Sequence, residues 1–329
     1  MNPSLTAHPG QRLDRRRRRR ATVLALPLLL TASMAFAAKP GQQTFASPEA
    51  GVAALVEAVH GDDPARLLAI LGPGGEDLIH SGDEAVDREG RESFIRAYNE
   101  AHRIVLDGAA HATLEIGKDQ WPFPIPVVKA AGGWFFDTQE GEQEILTRRI
   151  GRNELAAMQA CRTIVTAERQ FFAHSGTRDA LSQYAAKFVS SAGQRDGLYW
   201  EGRPGEPSSP IDAPLAGAGI DSEPATRGAA HVPYHGYFYR ILTAQGAGAP
   251  GGARNYVVNG KLTGGFAVLA FPVLYSVSGV MSFTAGPDGA VLEKDLGSDS
   301  AAVAARMTAF DPDASWKTVA DPQISQIRQ

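Results

Sequence analysis

One stretch limits the fold more than any other: NELAAMQACRTIVTAERQFFAHSG, Asn153 to Gly176. Leu155, Met158, Cys161, Val165 and Phe172 recur at three- and four-residue steps, with Ile164 and Phe171 beside them. That spacing predicts a long helix with one apolar stripe, capped by Asn153 and stopped by Gly176. The stripe needs a surface to cover it, and the last third of the chain supplies one. YHGYFYRILTA, RNYVVNG, GFAVLAFPVLY, GVMSFTA and AVLEKDL are strand-like runs separated by glycine turns, and Pro287–Gly289 marks a hairpin. A long helix followed by a meander implies an antiparallel α+β arrangement rather than alternating βαβ units. LSQYAAKFV (Leu181–Val189) reads as a shorter helix. Glu201 to Ala230, rich in proline, glycine and alanine and without a period, reads as an insert that either packs as a loop or is partly disordered.

Upstream the pattern is different. Ser47 is a natural N-cap before Pro48, and Val52, Leu55, Val56 and Val59 follow at helical spacing. SPEAGVAALVEAVHGDDPARLLAILG thus reads as two helices, Gly72–Asp83 as a loop, and DREGRESFIRAYNEAHRI as a further helix. The period then shifts to two in HATLEIG, PIPVVKA and GGWFFDT, with Gly132-Gly133 as the hairpin turn. The prolines of WPFPIP cannot donate ladder hydrogen bonds, which places that strand at an edge or bulge. The expected organisation is two α+β domains, each with helices packed on an antiparallel sheet. They span 45–150 and 151–320, with a tether at 38–44 and a tail at 321–329.

The first 37 residues read as a leader. Arg15–Arg20 precede the apolar ATVLALPLLLTASMAFA, which ends in small residues, so cleavage is expected after Ala37. The apolar run is short of the roughly 20 residues of a membrane span and contains Pro27. Stable membrane insertion after leader removal is therefore not expected, and the protein is expected in the periplasm or outside the cell. The full chain has 32 basic and 36 acidic residues; the leader carries seven arginines and one aspartate, so the remainder has a net charge of −10. That balance is unsuited to a phosphate backbone, and nucleic acid is not an expected partner. Cys161, the single cysteine, excludes an internal disulfide and reads as a small buried hydrophobe.

The chemistry-bearing residues give several candidates and no motif. His231 and His235 have a zinc-binding spacing only on a helix, and Pro233 opposes one. Extended, the pair spans ~13 Å, too far for one ion. His235 alone is a candidate general base beside Tyr234, Tyr237 and Arg240. The run from Tyr234 to Ile241 is expected to form a central hairpin. Tyr234, Gly236, Phe238 and Arg240 would lie on one face, and His235, Tyr237, Tyr239 and Ile241 on the other. Glu293, Asp295 and Asp299 are calcium candidates by ligand type, against the simpler reading of a solvated acidic turn. GPGGED lacks the ending of a phosphate loop and reads as a turn. No G-x-S-x-G, H-E-x-x-H, C-x-x-C or G-x-G-x-x-G motif is present, and no cofactor is expected.

LGPGGEDLIHSGD, WPFPIPVVK, GGWFFDT, RRIGRNELAAMQ, YHGYFYRILTAQG, YVVNGKLTGGFAVLAFP and KDLG together resemble an exported bacterial family, domain-of-unknown-function family 2950, from Phe45 to Val319. The resemblance implies secretion and brings no activity with it. Residues 45–150 are also similar to NTF2-like domains, in which helices and a curved sheet form a cone. Trp121, Trp134, Phe136 and His80 would line that cone. Residues 152–320 resemble the globular half of pilins and pseudopilins, although the polar RRIGRNE replaces their apolar N-terminal helix. These likenesses imply a non-catalytic envelope protein that binds a small ligand or an unknown envelope partner, with Trp121, Trp134, Tyr237 and Arg240 as ligand-binding candidates. The alternatives are a hydrolase or isomerase, using Asp137 or Asp77 with His80 as acid and base, and an accessory of a secretion or pilus system.

Overall fold

The computed structural model describes residues 37–79, 84–176, 181–202, 204–205, 207–220 and 231–320. The leader before Ala37, His80, much of the 201–230 insert and the tail lie outside the described residues. The fold is mixed α+β. The first part contains α1 (Pro48–His60), α2 (Pro64–Leu71), α3 (Glu76–Ile79) and α4 (Glu84–Glu100). A sheet follows: β1 (His102–Asp107), β2 (His111–Ile116), β3 (Trp121–Pro122), β4 (Val127–Ala130) and β5 (Gly133–Phe136). Ser47 caps α1 by accepting the Ala50 N–H, and Val52, Leu55 and Ala58 turn inward. The sheet order is β1-β2-β4-β5, with β3 a two-residue strand on β2, so the prolines of WPFPIP sit where no ladder donor is needed. The β4–β5 turn is Ala131-Gly132, one residue earlier than the expected Gly132-Gly133.

Helix α5 runs unbroken from Thr138 to Ser175, 38 residues. The expected start at Asn153 is corrected: Asp137 is the N-cap, and residue 150 lies inside the helix. The polar first half has no apolar stripe because only Thr138 and Gly141 of it are buried, so periodicity could not reveal it. Gly141, where it does touch the first part, packs so closely on Ile125 that a Cβ would lie 2.6 Å from Cγ1. Asn153 and Glu154 tie the helix to the second sheet instead of capping it. The Asn153 amide donates to the Ser278 carbonyl, and Glu154 Oε1 accepts the Val280 and Met281 N–H groups. The buried stripe is also rotated from the expected one. Ala157, Ala160, Cys161, Ile164, Val165, Ala167, Glu168 and Phe171 are buried, while Leu155 is 62% exposed.

Beyond it come α6 (Ala213–Gly217), β6 (Tyr237–Leu242), β7 (Ala244–Gln245), β8 (Arg254–Asn255), β9 (Val257–Val258), β10 (Lys261–Leu262), β11 (Ala267–Pro272), β12 (Met281–Ala285), β13 (Val291–Asp295), α7 (Ser300–Arg306) and β14 (Lys317–Thr318). The second sheet is antiparallel in the order β14-β13-β12-β11-β6. β11 is buried along its whole length, between α5 and α7. The expected hairpin partner of the aromatic run is corrected, because β6 pairs with the distant β11. Its other edge is covered in parallel by Ala218–Ile220, through Tyr239 N–H to Ala218 and Ile220 N–H to Tyr239. Residues 181–189 are not helical. Tyr184 stacks on Phe172 at 4.4 Å and packs tilted against Phe266 at 4.8 Å, and Phe188 is fully buried, so packing overrides local propensity there.

Buried apolar side chains gather in two clusters, one from Phe45 to Phe136 and one from Ala157 to Phe310, and α5 joins them. Among the described residues no helix is long and apolar enough to cross a membrane. Two glycines test this arrangement. Gly151 stands mid-helix with open space around it, so Gly151→Ala should stabilise by about 0.5–1 kcal/mol in denaturant titration. A Cβ at Gly279 would lie 2.0 Å from the Tyr237 hydroxyl, so Gly279→Ala should destabilise by about 1–3 kcal/mol. A loss of stability in Gly151→Ala would contradict a continuous helix.

Candidate functional site

The residues nominated from sequence do not converge on one place. Trp121 and Trp134 belong to the first sheet, Tyr237 and Arg240 to the second. Trp121 is 59% exposed with Arg148 over its ring at 5.4 Å, whereas Trp134 is buried. Tyr237 is fully buried; its hydroxyl donates to Met281 O at 2.8 Å, and burial raises its pKa well above the ordinary phenol range. Arg240, on the opposite face of β6, donates to the Ala304 and Ala305 carbonyls that end α7, at 2.9 and 3.0 Å.

His235 is exposed, and it lies on a turn rather than on the expected strand. It and Gly236 have φ of 49° and 73°, closing a two-residue turn between Tyr234 and Tyr237. Asp295 accepts from Gly297 N–H and the Tyr275 hydroxyl; Asp299 stands at the N-cap of α7. Glu293 lies on β13. Among the described residues no three His, Cys, Asp or Glu side chains are grouped to hold a metal ion. Burial pushes the Cys161 thiol up to about 12, which leaves no reactive thiolate at neutral pH. His80 and the side chain of Asp77 lie outside the described residues.

Asp137 does stand in a built environment, at the head of α5. Its Oδ1 accepts the Glu140 N–H at 3.1 Å. Buried Thr138 donates its hydroxyl to Leu71 O at 2.5 Å. Gln42, upstream of α1, spreads its amide over the Ile70, Leu71 and Phe136 carbonyls at 3.2, 3.0 and 2.8 Å. These bonds hold the segment after Ala37 beside the helix and leave a cleft of ≈ 510 Å³. Lys39, Gln42, Asp137, Thr138, Glu140 and Gln143 supply its polar groups, and Phe135 and Phe136 its apolar wall. The volume is in the range of small-molecule sites, roughly 300–1,000 Å³. From β2, His111 places Nε2 3.5 Å from Glu140 Oε1, while its Nδ1 is buried without a partner among the described residues. Two carboxylates, one ammonium and several amides suit a ligand that offers ammonium or hydroxyl donors. Sequence reading found Asp137 but missed His111, Glu140 and Gln42, which only the meeting of β2, α5 and the N-terminal segment brings together.

A second feature was missed although its signal was present. Glu168 follows Ile164 and Val165 by one helical turn, on the buried side of α5, and its side chain is fully buried. Oε2 accepts the Ala185 N–H at 2.8 Å, and Oε1 has no partner among the described residues. Burial holds the carboxyl well above the ordinary range, with the Ala185 bond opposing it. An acid within an apolar stripe at three- and four-residue spacing was the available clue.

Residues 42–319 match the family described as protein of unknown function (DUF2950), and the chain belongs to that family, as the motif resemblance implied. No curated protein and no solved structure matches the chain.

Glu168 gives a pH-dependent prediction. A raised native pKa means that the folded state keeps a proton which the unfolded chain loses above about 4.3. Stability therefore falls as pH rises from there towards the folded value, by about 1.4 kcal/mol per pH unit. Glu168→Gln removes the titration. The variant should lie closest to the wild type near pH 4.5 and exceed it at neutral pH in urea unfolding. A gap that is constant across pH would contradict the assignment.

Proposed function

We propose that the chain is an exported envelope protein that holds a small polar ligand in the cleft at the head of α5 without transforming it. The observation that carries this reading is the polar lining of that cleft, built by Lys39, Gln42 and the first turns of α5. The basic-then-apolar leader supports export to the periplasm or beyond. Helices α1, α2 and α4 on the first meander support an NTF2-like domain over residues 45–150. The second half of helix α5 against β11, β12 and β13 supports a pilin-like body within residues 151–320, entered through a helix that already begins at Thr138. A second reading, a hydrolase or isomerase, is favoured by the His111–Glu140 pair beside Asp137, an arrangement able to move a proton.

The cleft is tested by thermal shift with millimolar amines, amino acids and sugars, comparing wild type with Gln143→Trp, which would fill it. A ligand that binds there raises the wild-type Tm by mass action and leaves the variant unmoved. Equal shifts in both, or none in either, would reject the site. Product formation lost in Glu140→Gln would favour the second reading. Export is tested by N-terminal sequencing of the periplasmic protein, expected to begin at Ala38.

A further inference from the structure

Sheets expose backbone donors and acceptors at their edges, and three of the four edges of the two main sheets are closed or short. Phe45 pairs with Trp134 along β5, Gly219 pairs with Tyr239 along β6, and β14 is only two residues. The fourth, β1, is six residues long, pairs among the described residues only with β2, and is exposed along nearly its whole length. It contains no proline, lysine or bulge and is fully paired with β2 in regular register; its charged side chains, Arg103 and Asp107, flank the apolar Ile104, Val105 and Leu106 and leave them unguarded. Val105 is 38% exposed and Leu106 58%.

The register of β1 on β2 fixes which groups point outward. Gly117 N–H donates to Ala101 O, and the pairs continue as Arg103↔Glu115, Val105↔Thr113 and Asp107↔His111. Antiparallel ladders alternate, so residues 101, 103, 105 and 107 direct their backbone groups towards β2. His102, Ile104 and Leu106 direct theirs to the open edge. A second β1, antiparallel, can bond only outward residues to outward residues. One such register sets Ile104 of each copy against Leu106 of the other, with Val105 facing Val105 on the two-fold axis and Arg103 facing Asp107. Both charged positions then meet an opposite charge in a close, non-hydrogen-bonded pair. Arg103 is already held on that face by Glu115 at 2.5 Å and Gln120 at 2.6 Å. The neighbouring register, centred on Ile104, would set Arg103 against Val105 and leave Asp107 unmatched.

We infer that β1 is a self-association edge, on which a second copy of this chain pairs antiparallel about Val105 to join two sheets into one. The side-chain sequence Arg-Ile-Val-Leu-Asp is charge-complementary to its own reverse, which singles out an identical strand as the partner.

The test uses cysteine cross-linking of the purified protein. Across a non-hydrogen-bonded pair the Cα atoms are about 4.5 Å apart, within the disulfide range. Val105→Cys should therefore form a covalent dimer under mild oxidation at least ten times faster than Leu106→Cys, whose opposite residue is Ile104. Cys161 is buried and does not contribute. In sedimentation, Asp107→Arg and Arg103→Glu should each be monomeric where the wild type dimerises, and their equimolar mixture should dimerise, since mixing restores both opposite-charge pairs. Circular dichroism and thermal melts establish that each variant is folded. A wild type that stays monomeric at high concentration, equal cross-linking rates for the two cysteines, or folded charge variants that sediment like the wild type would each overturn the proposal.

Discussion

The structure depends on the continuity of α5. Its first turn is fixed in the first cluster by Asp137 capping Glu140, Thr138 bonding Leu71 and Gly141 seated on Ile125. Its second half lies over β11, β12 and β13 and contributes the buried run from Ala157 to Phe171. Between these ends, Asn153 and Glu154 bond backbone groups of the 278–281 segment. A break near residue 150 would free the two clusters from each other, whereas a rigid helix transmits the placement of one to the other. The exposed polar stretch in the middle is therefore structural even though it buries little.

Polar groups in the second cluster are used in two contrasting ways. Gln245 is buried and satisfied: its amide donates to Pro250 O and Gly252 O, and its carbonyl accepts from the Tyr256 hydroxyl and Arg254. Such a closed network gives specificity without stranding a group. Glu168 is buried in the same cluster with one oxygen unmatched, so it retains its cost and shifts its protonation instead. Both residues fix loops, Gln245 the 250–252 turn and Glu168 the extended 183–189 segment. Only the carboxyl is a titratable anchor.

What the sequence disclosed was local. Ser47-Pro48 starting α1, the prolines of WPFPIP kept to a two-residue edge strand and the link after it, and Pro287–Gly289 turning β12 into β13 all follow from backbone chemistry within a few residues. The glycines of GPGGED are likewise turn geometry: Gly72 adopts φ 79°, and a Cβ on Gly75 would lie 2.6 Å from Leu71 Cβ. What it hid was set at a distance. Residues 138–152 are helical without an apolar stripe, because a cap at one end and a packed helix at the other make periodicity unnecessary. Leu181–Val189 has helical composition but is pulled straight by slots for Tyr184 and Phe188. The candidate site was half legible, since Asp137 is recognisable as a carboxylate but His111 and Gln42 reach it only through tertiary contact.

The N-terminal segment explains why the two edges of the first sheet differ. Phe45 exchanges backbone bonds with Trp134 at 2.7 and 2.8 Å, sealing β5, and Gly133 must be glycine there because its φ is 121° and a Cβ would lie 2.6 Å from Phe45 O. The same segment, a few residues earlier, puts Gln42 and Lys39 on the cleft. One short stretch of chain thus closes an edge and builds a pocket in a single docking event, and it reaches only the β5 side. At the other end of the strand order, β1 receives no such cover from the described residues. Ligand and second copy would nonetheless meet at one point of the sheet, since His111, which faces Glu140, is the cross-strand partner of Asp107 on β1.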